Sequence, residues 1–166
     1  LLEPTPHTPE IAMTDEHYLR MALVAAEEAY ARGDWPVGAV IVKDGEVLAI
    51  GQNRQLSQRD LLVHAETDAI RSAESHHGLA RLAGATLYAT MEPCPMCAWA
   101  IKAAGLRRLV LGLRHATLRR TDMGRYRIES FCEMVGFEQL EFTPGVLEAE
   151  CLALRRRWGK DQVAND

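Results

Sequence analysis

Several things that would set this chain apart are missing from it. No apolar stretch approaches the ~20 residues that a bilayer-spanning helix needs, so a membrane partner is not expected. Cysteine is scarce, with four in 166 residues, too few for a disulfide scaffold in a chain of this length. Basic residues are not in excess. The formal net charge of −4 weighs against nucleic acid as the main partner, although it leaves room for a local basic patch. Leu1 to Glu10 contains Pro4, Pro6 and Pro9 but no basic cluster followed by an apolar core. Residues 1–13 therefore read as a flexible lead-in rather than a secretion signal, and residues 159–166 as a tail. The expectation is a cytoplasmic protein in a reducing compartment, with one domain over residues 14–158.

Periodicity supplies the scaffold. Thr14 is placed as an N-cap ahead of Asp15 and Glu16, and Leu19, Ala22, Leu23, Ala26, Ala29 and Tyr30 fall on one helical face until Gly33. Residues 37–43 and 46–51 read as strands joined by a tight Asp44-Gly45 turn. A polar, irregular stretch over 52–63 precedes a helix over 64–76, a strand over 85–90 and a helix over 94–104 stopped by Gly105. The almost wholly apolar segment 109–113 predicts a strand buried on both faces. Residues 114–126 read as irregular, 128–135 as a short helix, 137–142 as the last strand and 146–158 as a closing helix. Strands alternating with helices imply an α/β architecture, a sheet covered on both faces.

Chemistry concentrates in two short segments. His64-Ala65-Glu66 and Pro93-Cys94-Pro95-Met96-Cys97 each stand at the start of a helix. One imidazole and two thiols at C-x-x-C spacing are one ligand short of a closed structural zinc site, which is the form of a catalytic site with a position left for water. Zinc lowers the pKa of such a water toward neutrality and so makes hydroxide available. Glu66, two residues after the histidine, is placed to take the proton and return it. The helix amino ends favour thiolate over thiol. Cys132 and Cys151, among apolar neighbours, read as buried free thiols, Trp99 as core, and His76, His77 and His115 as surface residues. Arg107, Arg108, Arg114, Arg119, Arg120, Arg125 and Arg127, with Arg155 to Arg157, read chiefly as solvated surface. A phosphate or oligomer contact is the other reading of these arginines.

Over roughly residues 15–158 the chain resembles the cytidine-deaminase-like superfamily of zinc nucleobase deaminases. The pieces that carry the resemblance are 36–42, Asn53-Arg54, His64-Ala65-Glu66, 86–90, the run from Met91 to Cys97, and Ala100-Ile101. It implies a three-layer α-β-α sandwich around a five-stranded mixed sheet, and a homodimer or higher homo-oligomer. It also implies zinc on His64, Cys94 and Cys97, Glu66 as proton shuttle, and Asn53 against the substrate. Backbone groups of Ala65 and Glu92 are further candidates for base contacts.

The ring that is deaminated is read from the loops. Bacterial tRNA adenosine deaminases usually carry Asp-Pro-Thr-Ala ending at the zinc histidine, whereas this chain has Asp60-Leu61-Leu62-Val63. Their small-residue run after the corresponding strand is replaced by the segment from Thr117 to Tyr126. Together with the acidic net charge, these departures favour a free nucleobase or related amino-heterocycle, guanine- or cytosine-like, as the substrate alongside water. Asp122 and Tyr126 are then the candidates to grip it. A tRNA-specific adenosine deaminase is the alternative, and a catalytically inactive zinc module the second alternative.

Overall fold

The computed structural model describes residues 13–159, so most of the expected lead-in and tail lies outside the described residues. Its elements are α1 (Asp15–Arg32), β1 (Gly38–Lys43), β2 (Glu46–Gln52), α2 (Gln55–Gln58), α3 (Ala65–His77) and α4 (Leu79–Leu82). They continue with β3 (Thr86–Met91), α5 (Pro95–Ala103), β4 (Arg108–Leu113), α6 (Ile128–Met134), β5 (Glu141–Thr143) and α7 (Glu148–Trp158). The five strands form one sheet in the order β2-β1-β3-β4-β5. β2, β1 and β3 pair antiparallel, while β3–β4 and β4–β5 are parallel. The expected mixed sheet between helices is what the chain forms.

Alternation along the central strands divides the core. Ala39, Ile41, Leu87, Ala89, Leu109 and Leu111 point to one face, where Ala65, Ala69, Ala73, Ala98, Ile101 and Phe131 of α3, α5 and α6 cover them. Val40, Val42, Tyr88 and Val110 point to the other face, against Tyr18, Leu19 and Ala22 of α1. α7 lies on the same side as α1, and its Cys151 joins Met91, Leu113 and Leu118 in a small apolar cluster. Thr14 caps α1 as expected, its Oγ1 accepting from the His17 amide at 3.3 Å, and Gly33 ends the helix in the left-handed conformation.

One glycine decides how closely the active helix sits on the sheet. A Cβ on Gly51 would lie 2.1 Å from the Ala65 carbonyl oxygen and 2.4 Å from the Ala69 amide nitrogen. The bare Cα lets the first turns of α3 rest directly on β2, which sets the depth of the segment that carries His64 and Glu66.

The structure corrects four local expectations. Residues 137–140 are not strand: Phe137 is buried under α6 after the Gly136 turn, and only Glu141–Thr143 pair with Arg108–Val110. The aromatic gains more by plugging the core than by extending an edge strand. Trp99, expected in the core, faces solvent on α5. Cys132 is only half-buried, while Cys151 is buried, and both thiols are free. His115, expected at the surface, is buried. Among the described residues no helix is long and apolar enough to cross a membrane.

Candidate active site

The carboxyl ends of the parallel strands β3 and β4 open beside the amino ends of α3 and α5, and the chemical residues gather there. His64 and Cys94 are themselves the N-caps, one residue before each helix, both with extended backbone. Pro95 follows at the first helical position, where its fixed φ and missing N–H cost nothing. The His64 amide donates to Thr67 Oγ1 at 3.0 Å, and that hydroxyl donates to the Leu62 carbonyl at 2.6 Å, which fixes the entry of α3.

His64 Nδ1 lies 3.6 Å from Cys94 Sγ and 3.5 Å from Cys97 Sγ, and the two sulfurs are 3.7 Å apart. Tetrahedral zinc, with bonds of about 2.3 Å to sulfur and about 2.0–2.1 Å to nitrogen, needs S–S and N–S separations of about 3.8 and 3.5 Å. The donor set therefore fits zinc in kind and in spacing. The Cys94 thiol is brought down to about 4 by the hydrogen bond from Cys97, with His64 assisting against burial. Cys97, which donates that bond and is itself buried, is pushed up. Burial pushes the His64 imidazole down, but the Cys94 hydrogen bond and the charge of Glu66 outweigh it, and the net shift is upward.

Glu66 sits in the first turn of α3, buried, with Oε2 at 3.6 Å from Cys97 Sγ. Burial, reinforced by the charge on Cys94, raises its carboxyl to about 7. A carboxyl in that range exchanges protons readily near neutrality, as an acid–base catalyst must. The group faces a cavity of about 390 Å³ whose wall includes Trp35, Asn53, His64, Cys94, His115 and Asp122.

Residues 12–113 match the family model of the cytidine and deoxycytidylate deaminase zinc-binding region. The chain belongs to this deaminase family. Its reaction is zinc-dependent hydrolytic deamination, and His64, Cys94 and Cys97 are the group of side chains that could hold the metal, their ligand atoms within 4.8 Å of one another. The tRNA-specific adenosine deaminase of Agrobacterium fabrum is 35% identical over 150 residues, covering 90% of this deaminase and 97% of the relative. A solved structure from work on A-to-I editing by tRNA:A34 deaminases at the wobble position of transfer RNA has a TM-score of 0.73 and 36% identity. It covers 83% of this chain and 98% of that one. A guanine deaminase from Bacillus subtilis overlaps less, with 38% identity, 63% of this chain, 67% of that one and a TM-score of 0.58. The expectation of a free-base substrate is overturned by these relatives, since the whole-length similarity runs to tRNA-specific enzymes. The departures that suggested otherwise lie in two loops, and net charge averages over a surface without describing the part of it next to the site.

The other expected site residues are placed as follows in the deaminase. Asn53 lies in the cavity wall; its Oδ1 accepts from the Gln55 amide at 3.1 Å and its Nδ2 donates to Gln55 Oε1 at 3.0 Å. Asp34 anchors that segment, accepting from the Leu56 and Ser57 amides at 2.9 and 2.8 Å, from Ser57 Oγ at 2.6 Å and from Arg32 Nε at 2.7 Å. Ala65 is fully buried behind the metal ligands. Glu92 borders the cavity, but its carboxylate is spent on structure: Arg114 Nε at 2.9 Å and the His115 and Ile128 amides at 3.0 Å each. Asp122 is in the wall, accepting from Arg120 Nε at 2.9 Å, and that hydrogen bond holds its carboxyl below the usual range. Tyr126 is not in this wall. Its hydroxyl donates to the Pro93 carbonyl at 2.7 Å and so braces the turn before Cys94.

Sequence reasoning missed several wall residues, among them Trp35, His115 and Arg155. Arg155, within an arginine run read as solvated surface, is buried with its guanidinium 5.2 Å from the Trp35 ring centroid. His115 is 7% exposed, with neither ring nitrogen hydrogen-bonded, and burial lowers it to about 4, so it stands neutral in the wall. No spacing rule marks His115, Trp35 or Arg155; the one sequence signal for His115 is its place just after the almost wholly apolar segment 109–113.

Proposed function

We propose that this deaminase converts adenosine to inosine within a tRNA anticodon loop, at the wobble position. The observation that supports this reading most strongly is the 35% identity to a tRNA-specific adenosine deaminase across 97% of that protein's length. The site chemistry agrees with it. His64, Cys94 and Cys97 would hold the zinc, which when bound would supply the Lewis acidity for water to lose a proton near neutral pH. Glu66 takes that proton as water adds to the amine-bearing carbon of the purine. It passes that proton to the adjacent ring nitrogen, then takes the proton of the added hydroxyl. It hands this second proton to the departing amino group as the C–N bond breaks and the C=O forms, so that water is consumed and ammonia released. Asn53 and Asp122 are the polar side chains available to orient the base, with the Ala65 and Glu92 backbones beside them, and the neutral His115 offers one donor and one acceptor. Tyr126 serves through the Pro93 turn.

A cytoplasmic location and a homodimer go with this reading; light scattering on the purified chain checks the second. The function itself is tested by incubating the zinc-loaded protein with an anticodon stem-loop carrying adenosine at the wobble position. Inosine and ammonia should appear in equal amounts. An intact adenosine after prolonged incubation would refute the proposal.

A further inference from the structure

A second depression, of about 550 Å³, adjoins the reaction cavity and shares His115, Arg120 and Glu92 with it. Arg114, Arg125, Tyr126 and Arg127 complete its main walls. Four guanidinium groups in one groove are a strong local concentration of positive charge on a chain of net charge −4. Two of the four are already committed. Arg114 is held by Glu92 and by Glu129, the latter at 2.8 Å, and Arg120 by Asp122. Arg125 and Arg127 are exposed, and their guanidinium groups make no hydrogen bond or ion pair with any of the described residues, the charge of Glu129 being felt by Arg127 only at longer range.

We propose that this groove is a phosphodiester-binding track, in which Arg125 and Arg127 hold the RNA backbone next to the nucleotide inserted in the reaction cavity. The assignment rests on the tRNA reading and specifies the surface that reading requires. A base that enters a cavity while still attached to its strand carries its flanking phosphates to the rim. The groove lined by Arg125 and Arg127 shares Glu92, His115 and Arg120 with the reaction cavity, so the two depressions are continuous. Arginine suits the task because its planar fork bonds two phosphate oxygens at once. Such contacts set register and orientation without reading sequence. The local patch also explains how an acidic chain could handle a polyanion: the field at the groove matters, and the net charge does not.

The test compares wild type, R125Q/R127Q and the control R20Q/R71Q, which removes two charges outside both depressions. Stem-loop binding and kcat/KM are measured across a series of salt concentrations, with folding followed by circular dichroism. Each lost phosphate contact should flatten the slope of log K against log salt by about 0.7, so R125Q/R127Q should flatten it by about 1.4 and raise KM with kcat retained. The control should keep the wild-type slope. A wild-type slope and KM in R125Q/R127Q, with the stem-loop still deaminated, would overturn the groove and leave the tRNA reading standing. Competition by inorganic phosphate with no change in the stem-loop slope would mark a free-anion site, and it too would overturn the proposal. A wild type that neither binds nor deaminates the stem-loop overturns both.

Discussion

The two walls of the reaction cavity are built on different principles. One is made of the amino ends of α3 and α5, seated on the sheet, and it carries His64, Glu66 and Cys94, with Cys97 buried behind them. Each of these is placed by backbone that the core immobilises: Gly51 lets α3 lie on β2, and Ala98 and Ile101 hold α5 against the central strands. The other wall comes from the segment after β4, with His115, Arg120, Asp122 and Met123, held by ion pairs and turns at the surface. The first fixes the reaction. The second can vary in sequence without disturbing the sheet, and it includes one of the two loops that suggested a free-base substrate. Substitutions in the first wall should therefore strike kcat or the fold, and substitutions in the second should strike KM and substrate choice.

The largest effect is expected at the metal. Cys97→Ala, or exhaustive chelation of the wild type, should remove zinc and abolish turnover; zinc content by mass spectrometry and ammonia release check both. Glu66→Gln should keep zinc and lose kcat by about 10²–10⁴-fold or more. Retained turnover would deny Glu66 its role, and lost zinc would mean that it holds the metal site together.

The scaffold beneath the first wall can be broken without touching a ligand. Gly51→Ala drives a methyl into the α3 backbone and should cost about 3 kcal/mol or more, seen as a lowered denaturant midpoint. Asp34→Ala leaves two amides and the Arg32 guanidinium without their acceptor and should cost about 3 kcal/mol, together with a higher KM as the Asn53 segment loosens.

Asp34 also gives a pH dependence. Burial opposes its charge, yet the Ser57 hydroxyl and amide and Arg32 outweigh burial and hold its carboxyl below the ordinary value. Because the folded form binds the proton less readily than the unfolded chain, its stabilisation is fully present above about pH 4. It is lost as pH falls through the folded value. Stability curves of Asp34→Asn and wild type should therefore converge in acid. Parallel curves down to pH 2 would remove the carboxylate from the account.

The smallest effect belongs to the second wall. Asp122→Ala should change KM for RNA by roughly 5–30-fold, about 1–2 kcal/mol, with kcat near wild type. A fall in kcat equal to that from Glu66→Gln would erase the distinction between the walls.

The same contrast governs what could be read before the fold was in hand. A metal site demands a ligand spacing, and a buried strand demands a period, so the gathering of His64, Cys94 and Cys97 and the sequence of helices and strands are legible in the chain. The burial of Phe137 and His115 and the exposure of Trp99 are not legible in the sequence, because each depends on what packs over the residue. A phenylalanine after a glycine turn looks the same in sequence whether it extends a strand or fills a core. Asp122 and Tyr126 were singled out together, yet Asp122 meets the cavity and Tyr126 braces the Pro93 turn, a division made by loop geometry. The free-base expectation drew on two loops and on net charge, and neither describes the surface beside the site.

The most direct measurement is nucleoside analysis of a wobble-adenosine anticodon stem-loop after incubation with the zinc-loaded protein, run beside a panel of free bases and nucleosides. Inosine from the stem-loop, with no ammonia from the panel, is the predicted result. Ammonia from a free base with the stem-loop adenosine untouched would contradict the account.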